Sequence, residues 1–428
     1  MGRGIRLLRP DRTQLRWEVV DLDSQLPPDH RARLVWAFVQ SLDLSAFHAR
    51  IKARDDLPGR PASDPAVLLA IWLYATLEAI GSARAIERLC RDHAAFRWLA
   101  GGVPVNHDML SAFRRDSGPL LDQLMSRSLT ALIAEGLITL EELTIDGTKI
   151  RARAGGGSMT GRDRLGRIEA AVTERIGALK AELEQDVGAA ERKRLLRGMC
   201  AAEDRAGRIA RARERLRVLE DEQATRARRD ARAAKSVPKV STADPAVRRM
   251  RMPDGAVHPG WNVQVATSCG FVVAIDPTDR RSDNGLAPGL VEQVVRRCAR
   301  MSRRLLADAT AMTMDDIVTL CGRYPGLEIY SPPPGQRGIV TPAGQRNRRS
   351  QLRREPDAVK EWRQRMATDE GKAVYQRRKL TEHVHARMKN RGFGRMPVHG
   401  ITAVRSVCYM HAITQNMWHA HSLRSRAN

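Results

Sequence analysis

The sequence predicts an α+β protein, bordering on α/β. An all-helical N-terminal domain (1–140) precedes a mixed-sheet core (141–160 and 235–428), and a long basic helical insertion (161–234) interrupts that core. Three observations carry this. Apolar residues recur at helical spacing as far as about Leu140. Runs of β-branched residues alternate with period two around Leu143–Ile150 and again around Val263–Ile275. Between them, Ile168, Val172, Ile176, Leu179 and Leu183 step by four, four, three and four amid dense arginine.

The helical region opens with "DHRARLVWAFVQSLDLSAF", in which Leu34, Val35, Phe38, Val39 and Leu42 form one stripe. Asp64 and Pro65 make an N-cap and first-turn pair ahead of a strongly apolar helix, and Gly101-Gly102 ends a later one. Short helices with exposed arginines suit a DNA-binding domain, and "VNHDMLSAFRR" is the favoured recognition helix because it ends in Arg114 and Arg115. A dimerisation or scaffold domain is the alternative reading of the same residues.

"ELTIDGTKIRARA" reads as a strand ending at Asp146, a turn at Gly147 and a second strand carrying Ile150. The insertion reads as a helical hairpin whose stripe packs on a second helix around Ile209, Leu216 and Leu219. Arg211, Arg213, Arg215 and Arg217 would then face DNA phosphates as a clamp, the alternative being protein association with solvated arginines. Pro238, Pro245, Pro253 and Pro259 mark a linker. A hairpin around Ser268-Cys269-Gly270 follows, then a helix, a strand ending at Asp308, a helix, a strand, and a helical region from about Glu355.

Composition bounds the function. The 428 residues suffice for two or three domains, and 42% hydrophobic content makes them globular. Lys and Arg outnumber Asp and Glu by 73 to 49, a net +24, which points to a polyanionic partner, nucleic acid first and a ribosomal or membrane surface second. No apolar run approaches the roughly 20 residues of a membrane span. The start has no apolar signal segment, and the six cysteines lack a C-x-x-C pair, so a reducing cytoplasm is expected, with no structural zinc or disulfide framework. No nucleotide-binding G-x-x-x-x-G-K-[ST] occurs.

Three acids stand out: Asp146 and Asp308 at strand ends and Glu382 in a late basic helix. A mixed sheet with this spread of carboxylates describes an RNase H-like nuclease core. Mg²⁺ takes oxygen ligands, and two such ions about 4 Å apart can serve in-line phosphoryl displacement. Any two of these acids could equally be helix caps or ion pairs. The pair His383 and His385, two apart on a helix, points apart and reads as DNA-facing or packing residues.

Tyr375, Arg378, Glu382 and Lys389 stand at the spacing Y-x2-R-x3-E-x6-K, and on one helix all four would share a face. This resembles the signature of DDE transposases of bacterial insertion sequences, in the IS four and IS five superfamily. "GRPASDPAVLLAIWLYATLEAIGSARAIERLC", "NHDMLSAFR", "IDGTKIRARA", "HPGWNVQVA" and "LLADA" resemble blocks of its IS eleven-eighty-two-like branch, so the resemblance spans about residues 20–420. It departs after the second acid, where the family usually has D-x-G-Y and this chain has "DATAM", without the glycine that would ease a tight turn.

The resemblance implies that Asp146, Asp308 and Glu382 are the catalytic, metal-binding triad for two Mg²⁺ ions, with Mn²⁺ as a substitute. It makes Tyr375, Arg378 and Lys389 DNA-positioning residues. The implied activity is binding of terminal inverted repeats, cleavage at element ends and joining of the 3′-hydroxyls to target DNA, by a homodimer or larger assembly in the DNA complex of a bacterial, nucleoid-associated protein. The alternative is a catalytically inactive, domesticated DNA-binding regulator. The insertion after the first acid also matches that branch.

Overall fold

A computed structural model describes residues 21–53, 61–185, 188–228, 237–333 and 355–427. The N-terminal stretch read for a signal segment and the far end of the insertion up to Ala234 lie outside these. Before the first strand come α1 (Arg31–Gln40), α2 (Ser45–His48), α3 (Pro65–Leu77), α4 (Ala83–Asp92), α5 (Ala94–Ala100), α6 (His107–Asp116) and α7 (Gly118–Ala134). The starts follow the caps: Asp64 Oδ1 accepts from Ala66 N at 2.8 Å, and Asn106 Oδ1 from Met109 N at 2.8 Å. Every residue of α3 is buried, so it is an interior helix with no solvent face.

The sheet contains β1 (Glu142–Arg151), β4 (Arg248–Arg251), β5 (Val257–Ser268), β6 (Phe271–Thr278), β7 (Arg304–Ala307) and β8 (Glu328–Tyr330). β5 lies beside β1, antiparallel, and carries β6 and the short β4 on its other side, both antiparallel; β7 and then β8 continue parallel on the far side of β1. Taken without β4, the strands run third-second-first-fourth-fifth, the RNase H-like arrangement. The turn at Cys269-Gly270 closes the β5–β6 hairpin with both residues at positive φ (52° and 81°), which matches the strand twist. Helices α10 (Ala287–Cys298) and α11 (Met314–Arg323) follow β6 and β7.

Two readings change here. β1 does not end at Asp146: its register on β5 runs unbroken through Asp146↔Val265 and Gly147↔Gln264 to Arg151↔Gly260, so Asp146 sits in mid-strand. What ends beside Asp146 is the parallel pairing to β7, whose last partners are Ile145 and Ala307. The proline-marked linker also contains strands, because prolines exclude helix yet fit strand ends and edges. β3 (Val240–Ser241) pairs with β2 (Met159–Thr160), and β4 pairs with β5.

The insertion is a hairpin of α8 (Arg162–Glu184) and α9 (Ala189–Ala227), closed by two apolar patches. Leu165, Ile209, Ala212 and Leu216 pack at the root with Val240; Leu179, Leu195 and Met199 pack further out. Some of its arginines are engaged in ion pairs. Arg213 pairs with Glu169, Arg217 with Glu214, and Arg215 with Asp279 of the core. Of the four arginines expected to form a clamp, Arg211, Arg213 and Arg217 stay exposed, and Arg215, tied to Asp279, is the one drawn against the core.

The remaining helices are α12 (Asp357–Ala367), α13 (Asp369–Gln376), α14 (Lys379–Asn390) and α15 (Ile401–Ala427). α15 packs on β6 and also on α3, α6 and α7, and the apolar residues of the N-terminal helices and the sheet form one continuous core. No helix among the described residues is long and apolar enough to cross a membrane.

Candidate active site

Asp146 is placed by β1, and Asp308 follows β7, the adjacent parallel strand. The "DATAM" segment turns without a glycine: Ala311 N donates to Asp308 O at 3.0 Å, Thr310 Oγ1 donates to Asp308 Oδ2 at 3.2 Å, and none of the residues from Ala309 to Met312 takes positive φ.

The helix expected to carry Tyr375, Arg378, Glu382 and Lys389 is two helices. Tyr375 ends α13 and Arg378 caps α14. At the junction the backbone keeps right-handed helical angles but tightens to i to i+3 hydrogen bonds, Arg377 N donating to Val374 O at 3.0 Å and Arg378 N to Tyr375 O at 3.1 Å. Both arginines reach β1, Arg377 pairing with Glu142 and Arg378 with Asp146. Thr381 fixes α14 to the sheet through a 2.8 Å hydroxyl contact with Thr267.

Arg378 is the hub. Its Nη1 lies 3.4 Å from Asp146 Oδ1, its Nη2 lies 3.8 Å from Glu382 Oε1, and its guanidinium stands 5.9 Å from the Tyr375 ring centroid. Desolvation opposes its charge, yet Asp146, Tyr375 and Asp308 hold its proton more tightly than usual. A 550 Å³ cavity is lined by Asp146, Arg251, Asp283, Glu382, His385 and Lys389, among others. Asp308 does not line it, but its charge reaches both Asp146 and Arg378.

Burial pushes the Asp146 carboxyl up to about 6; Arg378 opposes the rise, and Asp308 and Asp283 add to it. Two further residues stand beside the acids: His385, expected to face DNA or to pack, and Asp283, which no sequence pattern singled out. His385 points its Nδ1 at Asp146 Oδ2, 3.5 Å away, and its buried Nε2 has no partner. Burial, then Lys389 and Arg378, push it down to about 4, so it is neutral at pH 7. Its signal was its spacing from Glu382, since three, four and seven residues on place His385, Ala386 and Lys389 along one cavity wall. Asp283 accepts from Asn262 Nδ2 at 2.7 Å and Gln264 Nε2 at 2.6 Å. Gly147 makes room for it: a Cβ there would collide with Asp283 and lie 2.6 Å from Gln264 Nε2. Gly147 thus serves close approach and not a turn.

Arg114 and Arg115 stand apart from this site. Arg114 is buried, with its guanidinium 4.3 Å from the Trp72 ring centroid and Nη1 donating to Gly81 O at 2.7 Å. It is a packing residue and is unavailable to phosphate. Arg115 is exposed and pairs with Asp116.

Two family models match the chain, "Transposase domain (DUF772)" over residues 20–116 and "Transposase DDE domain" over residues 340–421. Both matches support a DDE transposase, each over less than half of the chain. The second match carries Tyr375, Arg378, Glu382 and Lys389, while Asp146 and Asp308 lie outside both. No curated protein and no solved structure matches it.

DDE transposases use divalent metal ions. Among the described residues of this transposase, no group of three or more His, Cys, Asp or Glu side chains stands close enough to hold one; Arg378 spans Asp146 and Glu382 instead. The donor chemistry nevertheless fits a hard cation. The three acids offer carboxylate oxygens, and Asp146 and Glu382 both line the cavity that Lys389 and Asp283 share.

Proposed function

We propose that this transposase binds the terminal inverted repeats of its element, cuts DNA at the element ends and joins the released 3′-hydroxyls to target DNA. Asp146, Asp308 and Glu382 would hold two Mg²⁺ ions, and the observation that carries the reading is that Arg378 joins Asp146 of β1 to Glu382 of α14, with Asp308 following the parallel neighbour of β1 and its charge reaching both Asp146 and Arg378. When bound, such ions activate the attacking oxygen and neutralise charge on the leaving one.

Cleavage forms a bond from a water oxygen to phosphorus and breaks the P–O3′ bond, whose oxygen leaves as a hydroxyl. Joining repeats the displacement with that 3′-hydroxyl on a target phosphodiester, so one site serves both steps. Arg378 and Lys389 supply cations beside the acids for non-bridging phosphate oxygens, and Tyr375 buttresses Arg378. His385, neutral and buried, holds Asp146 in orientation from α14. Two ends must be handled together, so a dimer or larger assembly forms on DNA. The three parts of the chain proposed for this work are residues 1–140 for end recognition, 141–160 with 235–428 for chemistry, and 161–234 as an accessory hairpin.

Asp308→Asn and Glu382→Gln each should abolish Mg²⁺-dependent cutting of a duplex bearing the element ends while mobility-shift affinity stays near wild type, because phosphate contacts dominate affinity. Near-wild-type cutting by either variant would remove that residue from the site. A wild-type protein that binds the ends but never cuts would favour the regulatory reading.

A further inference from the structure

Where the insertion meets the sheet edge, a second cleft of about 320 Å³ lies between the end of α9, β4 and the loop after β6. Its charged lining is Glu222, Arg226, Lys239, Arg248, Arg249 and Arg281, five cations against one acid. That acid is engaged. Arg248 Nη2 donates to Glu222 Oε1 at 2.7 Å and Arg248 Nε to Asp279 Oδ2 at 2.8 Å, in a network that Arg215 completes. Arg226, Arg249 and Arg281 are exposed, and their side chains make no hydrogen bond or ion pair among the described residues. Partial desolvation, with Arg248 and Arg226 close by, weakens the hold of Arg281 on its proton. Five cations thus share Glu222 and the neighbouring Asp279 as counter-charges, an excess of positive charge that favours an anion from outside.

Two routes tie this cleft to the catalytic pocket. Along β4 the exposed positions alternate with buried ones: Arg249 faces the cleft, and Arg251, two residues on, lines the pocket. Residues two apart on a strand are about 6.7 Å apart. In the loop after β6, Arg281 lies in the cleft, and Asp283, again two residues on, lines the pocket.

We propose that this cleft binds backbone phosphates of the DNA strand running into the catalytic pocket, through Arg226, Arg249 and Arg281 and independently of base sequence. The proposal rests on the reading of the pocket as the cutting site. It places a DNA contact of the insertion at its root, where the end of α9 meets the sheet edge.

The test uses the full chain and a labelled duplex of arbitrary sequence in chelator, with Kd measured across a salt series for wild type, Arg226→Gln/Arg281→Gln, Arg226→Lys/Arg281→Lys and Asp308→Asn. Matched unfolding midpoints establish intact folds. The glutamine pair should weaken binding roughly tenfold or more and flatten the slope of log K against log salt by about 1.8, two phosphates at about 0.9 each. The lysine pair should keep the slope. An unchanged slope and affinity in the glutamine pair would overturn the cleft, as would a lysine pair as defective as the glutamine pair. Asp308→Asn reports separately on the pocket: it should bind like wild type in chelator and, in a second assay with Mg²⁺ and a duplex bearing the element ends, fail to cut where wild type cuts. Wild-type cutting by Asp308→Asn would sink the reading of the pocket while the salt slopes still decided the cleft.

Discussion

Replacing Asp146 by Asn should stabilise the metal-free protein at neutral pH. The carboxylate is held at a site that disfavours its charge. Burial, with Asp308 and Asp283 as like charges, outweighs Arg378 and carries its pKa from an ordinary value of 3.8 to about 6. A change of that size disfavours the ionised form by about 3 kcal/mol, and the fifth of the side chain that stays exposed lowers this to about 2 kcal/mol. The folded state therefore binds the Asp146 proton more tightly than the unfolded chain does. Wild-type stability from this group is present below pH 4 and is lost as pH rises from about 4 to 6. His385, pushed down to about 4, contributes the opposite slope between pH 4 and its unfolded value near 6.5. It is common to both proteins, so the difference between them isolates Asp146. Urea unfolding in chelator, compared at pH 4 and pH 7.5, measures this. Asp146→Asn should match wild type at pH 4 and exceed it by about 2 kcal/mol at pH 7.5. Equal stability at pH 7.5, or an advantage that grows as pH falls, would refute the reasoning.

Arg114→Ala should cost about 2 kcal/mol of stability through the lost Gly81 hydrogen bond and Trp72 contact with DNA affinity per folded molecule unchanged, whereas Arg115→Ala should stay within about 0.5 kcal/mol; chemical unfolding with a parallel binding titration checks both. Gly147→Ala should push Asp283 out of place, cost about 1–3 kcal/mol and reduce cutting far more than binding, as read by single-turnover cleavage at saturating DNA.

What the sequence revealed, it revealed through local rules. The β5–β6 hairpin is legible because Cys269-Gly270 supplies the turn between two alternating runs, and α3 because Asp64-Pro65 announces its start. Asp146 and Asp308 are legible because apolar runs lead into them. The misreadings were decided by distant partners. Nothing in "QRRKL" breaks a helix, yet a turn at Arg377-Arg378 divides α13 from α14 where both arginines pair with acids of β1. Gly147 looks like a turn glycine until β5 and Asp283 are beside it. Arg114 looks like a DNA-facing cation until Trp72 lies under it. Asp283 belongs to no periodic run and takes its place from Asn262 and Gln264, which only the folded sheet presents to it.

The crossing of α15 over α3, α6 and α7 has a consequence for how the chain is made. The ribosome releases α3 early, yet the helix that covers it is translated roughly 320 residues later, a wait on the order of 15–60 s at about 5–20 residues per second. Until then the helical region shows an open apolar face, and a product truncated before Ile401 keeps it open for good. Such fragments would be cleared by chaperones and proteases before they could compete for DNA ends, so only a molecule that already carries α14, with Glu382 and Lys389, has a finished N-terminal region.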